Sequence, residues 1–519
     1  MAEEKKIYIP AAKKGEGISR FLSGFDLHDI SWKPFIVLGV LFSILVGIAI
    51  SINPGQYFPY IVGGIGGIIV FVLIFQKPEF GIYILIFSVF ANISDILTDK
   101  GLPSVNRPLL AITLASIIAN YLLKTGKFDK FPIIGRTEWA MLAFYSVIVV
   151  STFVSPDKSQ VISIIVDITK DILVGVALYI GLNSKDKWEA SAWILIGTIG
   201  FLSLLGVFKE LSGTDLTFFN LARQSIFGQV GSGDELRYAG PIGESNLWGQ
   251  VLVAALPLVI YRLYRKHTPF LQVVIAIVTL LIFLAAIFTG SRGAFVALIV
   301  VAPVIALEMR IKPLPALSAI LAAIIIFSIL PTTYAQRFQS LNVFLQTSNP
   351  NAVTQDASFA GRSNEIRAGL AMFMDHPFLG VGFGNYGANY WDYAGKLGLI
   401  SGESRFNTSG STKYAHSLYI EVISETGILG LTAFLLFFGL LFLDLFKIRK
   451  RYKTYHTDPD WETWVTSLII SIFTFLVSGI FLHGLLFRYI WMLVGLALAA
   501  ISISNETHKT FISAVQKKP

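Results

Sequence analysis

FLQVVIAIVTLLIFLAAIF, residues 270–288, carries only Gln272 and Thr279 as polar members, and TGSRG (289–293) separates it from a second apolar run at 292–308. A run of this length is about 28 Å long as a helix, close to the roughly 30 Å hydrocarbon core of a bilayer. Working outward, similar runs stand at 34–52, 60–76, 80–95, 107–123, 137–154, 160–182, 188–207, 246–261, 313–330, 417–443, 464–483 and 487–503. A twelve-helix variant makes a short hairpin of the second and third runs. Gly63, Gly64, Gly66 and Gly67 loosen the one, and Asn92 and Asp95 end the other.

Of 519 residues, 54% are hydrophobic and 14% charged, against roughly a quarter charged in a soluble domain, and the mean hydropathy is +0.66. The expected fold class is all-α, a polytopic integral membrane helical bundle of about 12–14 transmembrane helices, with one long extracytoplasmic loop containing short helices. There is no cysteine, so disulfides, thiolate metal sites and cysteine nucleophiles are excluded. Residues 1–33 are polar and basic without a short apolar core, so no cleaved signal peptide is expected.

The net charge is +8 and the pI about 9.3, a balance that suits either a polyanionic partner or membrane topology. With the N-terminus inside, cytoplasmic segments collect roughly 26 of the 41 Lys and Arg, and about 14 fall outside. Both termini are therefore expected in the cytoplasm, and orientation accounts for most of the charge without nucleic acid. The expected organisation is a cytoplasmic basic segment (1–33), N-terminal transmembrane helices (34–207), transmembrane helices with arginine motifs (208–330), an extracytoplasmic loop domain (331–415), C-terminal transmembrane helices (416–503) and a cytoplasmic tail (504–519). The outside segments 208–245 and 331–415 are too long for connectors. The second contains an amphipathic helix from Arg362 to Asp375, with Ile366, Leu370, Phe373 and Met374 at helical spacing. No internal repeat is visible.

Three outside motifs could carry chemistry. In Thr289-Gly290-Ser291-Arg292-Gly293 the glycines admit a phosphate to the backbone, Arg292 offers a bidentate fork, and the following helix N-terminus favours an anion. An ordinary interfacial arginine at a tight turn fits equally well. In Arg237-Tyr238-Ala239-Gly240-Pro241-Ile242-Gly243-Glu244-Ser245-Asn246, Arg237 is a second candidate anion clamp. Glu244 and Asn246 either bind sugar hydroxyls or cap the next helix, with capping favoured for Asn246. The third motif is Tyr414-Ala415-His416-Ser417-Leu418-Tyr419-Ile420-Glu421-Val422-Ile423-Ser424-Glu425. A histidine at a helix N-terminus stays neutral and can act as a general base, or it simply caps the helix. Glu421 and Glu425 share a helix face that must meet protein or water.

The run Gly380-Val381-Gly382-Phe383-Gly384-Asn385 follows no strand and reads as a tight turn rather than a dinucleotide site. Asp167, Lys170 and Asp171 share one face of the sixth span, as a proton path or as a pair fixing the bundle. His376, His416 and His483 lack metal-ligand spacing, and neither a metal nor a cofactor is expected.

SRG at 291–293, RYAGPIGESNLWG at 237–249, the DHPFLGVGFGNY turn at 375–386 and HSLYIEVISETGILGL at 416–431 together resemble the O-antigen ligase and polymerase family of envelope-glycan enzymes. The resemblance covers mainly residues 190–500. It implies an inverting, metal-independent membrane glycosyltransferase of the GT-C type. Such an enzyme takes glycan from a polyprenyl-pyrophosphate carrier on the outer face of the bacterial cytoplasmic membrane and passes it to a glycan or lipid acceptor. By this resemblance Arg237 and Arg292 hold the donor pyrophosphate and His416 activates the acceptor hydroxyl. Arg362, Arg367 and Glu421 are candidate donor or acceptor contacts from their position near the motifs. Gly-Glu-Ser-Asn stands where Asn-Pro-Asn is frequent in the family, which bears on Glu244. The competing class is a polysaccharide flippase or proton-coupled transporter, suggested by the span count and by Asp167, Lys170 and Asp171.

Overall fold

A computed structural model describes residues 54–123, 131–155, 161–227, 235–314, 357–399, 413–455, 458–484 and 488–516, with isolated positions at 317, 318, 321 and 325. The basic segment 1–33, the span at 34–52, most of the span at 313–330, and segments 331–356 and 400–412 of the loop lie outside the described residues.

The apolar runs become helices: α1 (Pro54–Gln76), α2 (Pro78–Phe90), α3 (Ile93–Thr98), α4 (Asn106–Leu122), α5 (Arg136–Thr152), α6 (Val161–Gly181), α7 (Lys185–Ser212), α8 (Ser245–Leu263), α9 (Pro269–Phe288), α10 (Arg292–Glu308), α11 (Ala357–Asp375), α12 (Tyr386–Lys396), α13 (Leu418–Tyr455), α14 (Pro459–Ser478) and α15 (Arg488–Gln516). Their ends carry local signals. Thr268 and Asp458 accept from the backbone N–H groups of Leu271 and Trp461, each with proline at the first helical position. Gly213, at φ 62°, closes α7.

Among the described residues six helices are long and apolar enough to cross a membrane: α7, α8, α9, α13, α14 and α15. The protein is an all-α polytopic membrane protein. Helices α4, α5 and α10 have 17 residues each, and α6 carries three charges.

Burial separates centre from rim. The apolar window of α8 is 89% buried, and those of α14 and α15 are 78% buried, whereas α9 and α13 are only 28% and 33% buried. A half-exposed apolar helix belongs against lipid, and the buried ones make the protein's own core. Helices α6 and α15 touch through glycine: a Cβ on Gly175 would stand 2.5 Å from Trp491 O, and one on Gly495 would overlap the Gly175 carbonyl. Small residues of this kind let backbones approach where no hydrophobic effect drives association.

The segment 208–245 holds the only sheet among the described residues, an antiparallel hairpin of β1 (Arg223–Phe227) and β2 (Glu235–Gly240) that pairs Ser225 with Arg237 and Ile226 with Leu236. Arg223 pairs with Asp99 at 2.6 Å, and Asn92 donates to Pro241 O at 3.1 Å, so the hairpin is tied to both ends of α3.

The bundle has two unlike ends. At one, the starts of α8, α10 and α13 meet the ends of α9 and α14, and all the motifs gather there. At the other, ion pairs bind helix to helix: Lys185–Asp458 at 2.7 Å, Arg262–Asp460 at 3.0 Å, Arg449–Glu308 and Arg136–Asp444.

Candidate functional site

The TGSRG turn forms where α9 ends and α10 begins. Gly290 takes φ 57°, and Ser291 caps α10 by accepting from Ala294 N at 3.3 Å. Arg292 is thereby the first residue of α10, and it is buried. The first turns of α8 rest on this turn through Gly249, where a Cβ would come within 2.8 Å of Thr289 Oγ1 and 3.0 Å of Ser291 Cβ. Just upstream, Arg237 is 3% exposed while its strand neighbour Leu236 is 52% exposed. That inverts ordinary partitioning, since an arginine is almost never fully buried unless it is paired. Tyr238, fully buried, anchors the strand by donating to Leu202 O at 2.8 Å.

Glu244 caps α8. Its carboxylate accepts from Asn246 N (3.1 Å), Asn246 Nδ2 (2.9 Å) and Leu247 N (2.6 Å). The expectation that Asn246 caps this helix is therefore corrected. A carboxylate one residue outside the helix reaches two of its orphan N–H groups, and Asn246, already inside, serves it as a donor.

The DHPFLGVGFGNY and HSLYIEVISETG motifs form one joint. Helix α13 is broken at Gly427 (φ 64°, ψ −163°), which orphans carbonyls on one side and N–H groups on the other. Segment 377–386 supplies both kinds of partner. Val381 N and Gly382 N donate to Ser424 O (2.9 Å) and Glu425 O (3.1 Å), while Ile428 N donates to Pro377 O (2.8 Å). The Glu425 carboxylate then accepts from Gly384 N and Tyr386 N, both at 2.9 Å, and so holds the start of α12. Glycine is required at the contact, because a Cβ on Gly427 would overlap the Phe378 carbonyl and one on Gly380 would overlap that of Ser424. Irregular backbone beside the membrane is tolerated only when protein satisfies it in this way.

His416 precedes α13 at φ 44°, a conformation uncommon outside glycine and frequent at functional sites. Two residues on, Leu418 N donates to Gly479 O (2.7 Å) and Leu482 O (2.9 Å) in the turn after α14. Gly293 rests on that same turn, where a Cβ would stand 3.0 Å from Phe481 Cβ and 3.2 Å from Leu482 Cγ. The buried Glu421 carboxylate accepts from Gly484 N at 3.1 Å. Segment 479–484 thus joins the SRG turn to the histidine.

Around His416 lie Glu365, with its Oε2 3.9 Å from Nε2, and the ring of His483, centred 5.3 Å away. His483 itself stacks on Tyr414 at 4.4 Å. His416 Nδ1 is buried and takes no hydrogen bond among the described residues, so this nitrogen does not cap α13. Burial lowers its pKa to about 4, helped by the positive charges of Arg362 and Lys413, and it is neutral at pH 7. Burial raises Glu365 to about 7 against the pull of Lys413 and Arg362. Burial likewise lowers His483 to about 3, with His416 and Arg362 adding to the effect.

The structure places Arg292, His416, Glu421 and Arg362 at this end of the bundle, with Glu244 capping α8 and Arg237 on β2, which packs against α8. Arg367 is exposed on α11, about 200° around the helix from buried Glu365. The amphipathic helix exists, but its apolar stripe points the other way: Ile366, Leu370 and Met374 are exposed. Its buried face is Glu365, Ala368, Gly369 and Met372, small enough for close approach to Ile420 of α13. Tyr414 opens the third motif, but Glu365 and His483 were not singled out as partners of His416, because nothing in their spacing places them beside it. Asp167, Lys170 and Asp171 join Arg107 (3.5 Å from Asp167) and Arg488 (3.7 Å from Asp171) in a network tying α4, α6 and α15.

Residues 277–435 match the O-antigen ligase family model, a stretch running from α9 through the break in α13. It contains Arg292, Arg362, Arg367, His416 and Glu421, and leaves out Arg237, Glu244 and His483. The match supports the resemblance drawn from the motifs and, with it, a membrane glycan-processing function of the O-antigen ligase and polymerase type. No curated protein matches the chain.

Proposed function

We propose that this protein is an inverting, metal-independent glycosyltransferase that transfers or polymerises glycan from a polyprenyl-pyrophosphate carrier. The motif end of the bundle faces outward from the bacterial cytoplasmic membrane, and both termini lie inside. One observation carries this reading: the arginine-bearing start of α10 and the segment that follows His416 rest on the same turn, 479–484. An anion grip and a neutral, partly exposed imidazole are then available to one substrate pair. As the acceptor oxygen bonds to the anomeric carbon, the C–O bond to pyrophosphate breaks and the leaving group takes the electron pair. Arg292 and Arg237 meet the charge that develops there, and His416 takes the acceptor proton. The basic residues paired at the opposite end support the orientation, since cytoplasmic segments collect Lys and Arg.

Purified protein in nanodiscs, given a polyprenyl-pyrophosphate glycan and excess EDTA, should yield extended or transferred glycan. Strict dependence on a divalent metal would sink the mechanism. Counterflow of labelled lipid-linked substrate with no covalent product would replace it with transport.

A further inference from the structure

We propose that Glu365 is a positioning residue forming a carboxylate–imidazole dyad with His416, turning Nε2–H toward the carboxylate and leaving Nδ1 for the acceptor hydroxyl. This deepens the transfer reading above and rests on it for the identity of the hydroxyl. Oε2 of Glu365 and Nδ1 of His416 are both buried with no hydrogen-bond partner among the described residues. Oε2 stands 3.9 Å from Nε2, and the Glu365 side chain is only 6% exposed. Buried polar atoms are nearly always satisfied, so two such atoms on side chains that face each other mark a place kept for a proton and a ligand. The gap is longer than a hydrogen bond, as is common before substrate closes a site. Two contacts fix Glu365 in place. Tyr386 Oη donates to its backbone oxygen at 2.6 Å, and Gly369, one turn on, lets α11 press against Ile420.

The surroundings show why an anion is needed. Arg362 and Lys413 bear on the imidazole as positive charges, and His483 faces it as a second ring. Tyr386 and Tyr390 of α12 lie within the field of Glu365. Burial, Arg362 and Lys413 make the ring a weak base, and an ionised carboxylate beside it favours the imidazolium as it forms. When the acceptor oxygen attacks, its proton passes to Nδ1 and the imidazolium faces ionised Glu365 through Nε2–H. The proton then leaves to solvent and the dyad returns to its starting state. Burial puts proton uptake by Glu365 near pH 7, and the His416 ring, 3.9 Å away, should sense that step.

The test uses full-length protein in nanodiscs with ¹³C-labelled histidine, His416 being assigned by comparison with His416→Gln. The wild-type His416 ring signals should show a step near pH 7 that Glu365→Gln lacks. Curves that coincide, or a wild-type ring without that step, overturn the dyad, whether or not the protein transfers glycan. In the transfer assay Glu365→Gln should lower kcat by roughly 100-fold or more with little change in KM, while Glu365→Asp recovers part of the rate and keeps the acid limb of the pH profile. A Glu365→Gln rate loss with the limb unmoved would mean a structural role and refute the proposal. If the ring step depends on Glu365 and no glycan is transferred, the dyad stands and the transfer reading falls.

Discussion

Gly427→Ala should unfasten the joint between the 377–386 turn and α13. The backbone at Gly427 (φ 64°, ψ −163°) lies in a region nearly closed to other residues, at a cost of about 1–3 kcal/mol. The new Cβ would overlap the Phe378 carbonyl and stand 2.6 Å from Leu379 N. These are backbone atoms that cannot rotate away, and overpacking of this kind costs about 1–3 kcal/mol more. The sum, about 2–6 kcal/mol, shifts the docked-to-undocked ratio by roughly 30-fold to 10⁴-fold. Release means giving up the hydrogen bonds Val381 N to Ser424 O, Gly382 N to Glu425 O and Ile428 N to Pro377 O. It also carries Glu365 and Arg362 away from His416. Gly439→Ala in the same helix is the control, because a Cβ there meets nothing within 4 Å and removing a mid-helix glycine gains about 0.5–1 kcal/mol. Thermal unfolding, limited proteolysis across 377–386 and glycan transfer, all in nanodiscs, should single out Gly427→Ala. Equal melting and equal cleavage in the two variants would refute the two-sided capping of the α13 break.

Arg292→Lys should lose most transfer activity at normal expression, because an ammonium has no bidentate fork; near wild-type turnover would remove Arg292 from the site. His416→Ala should slow transfer by roughly two to four orders of magnitude, measured as single-turnover product, whereas an unchanged rate would leave the histidine a structural role. Glu244→Ala should lower stability by about 1 kcal/mol through loss of the α8 cap, and Glu244→Asp should restore the melting temperature; a change confined to KM would point to sugar binding instead. Arg362 lowers the pKa of both His416 and Glu365, so Arg362→Ala should move the acid limb of the pH–rate profile to higher pH. Arg367→Ala should leave that limb in place, and equal shifts in the two variants would contradict the facing of α11.

Membrane class and helix positions were legible in the chain because lipid imposes one rule everywhere: an apolar run must satisfy its own backbone. The run 270–288 became Pro269–Phe288, and 292–308 became Arg292–Glu308. Which face turns inward was not legible at α11, where Ile366, Leu370 and Met374 have the spacing of a core stripe and lie exposed. There the small residues Ala368 and Gly369 mark the contact face instead, with Gly369 against Ile420. The backbone rule itself is broken at α13, where hydropathy sees one span and Gly427 makes two helices.

The one-dimensional pattern determined the motifs and the residue types able to grip a pyrophosphate or take a proton, because fork geometry and imidazole basicity belong to single side chains. Only the tertiary structure decided which of them meet. Gly293, Leu418 and the 479–484 turn come together at the ends of three helices. Glu365 reaches His416 because Gly369 lets α11 close on α13, and His483 arrives from a turn with no motif of its own. Proximity across such distances in the chain is set by packing, which no local spacing encodes.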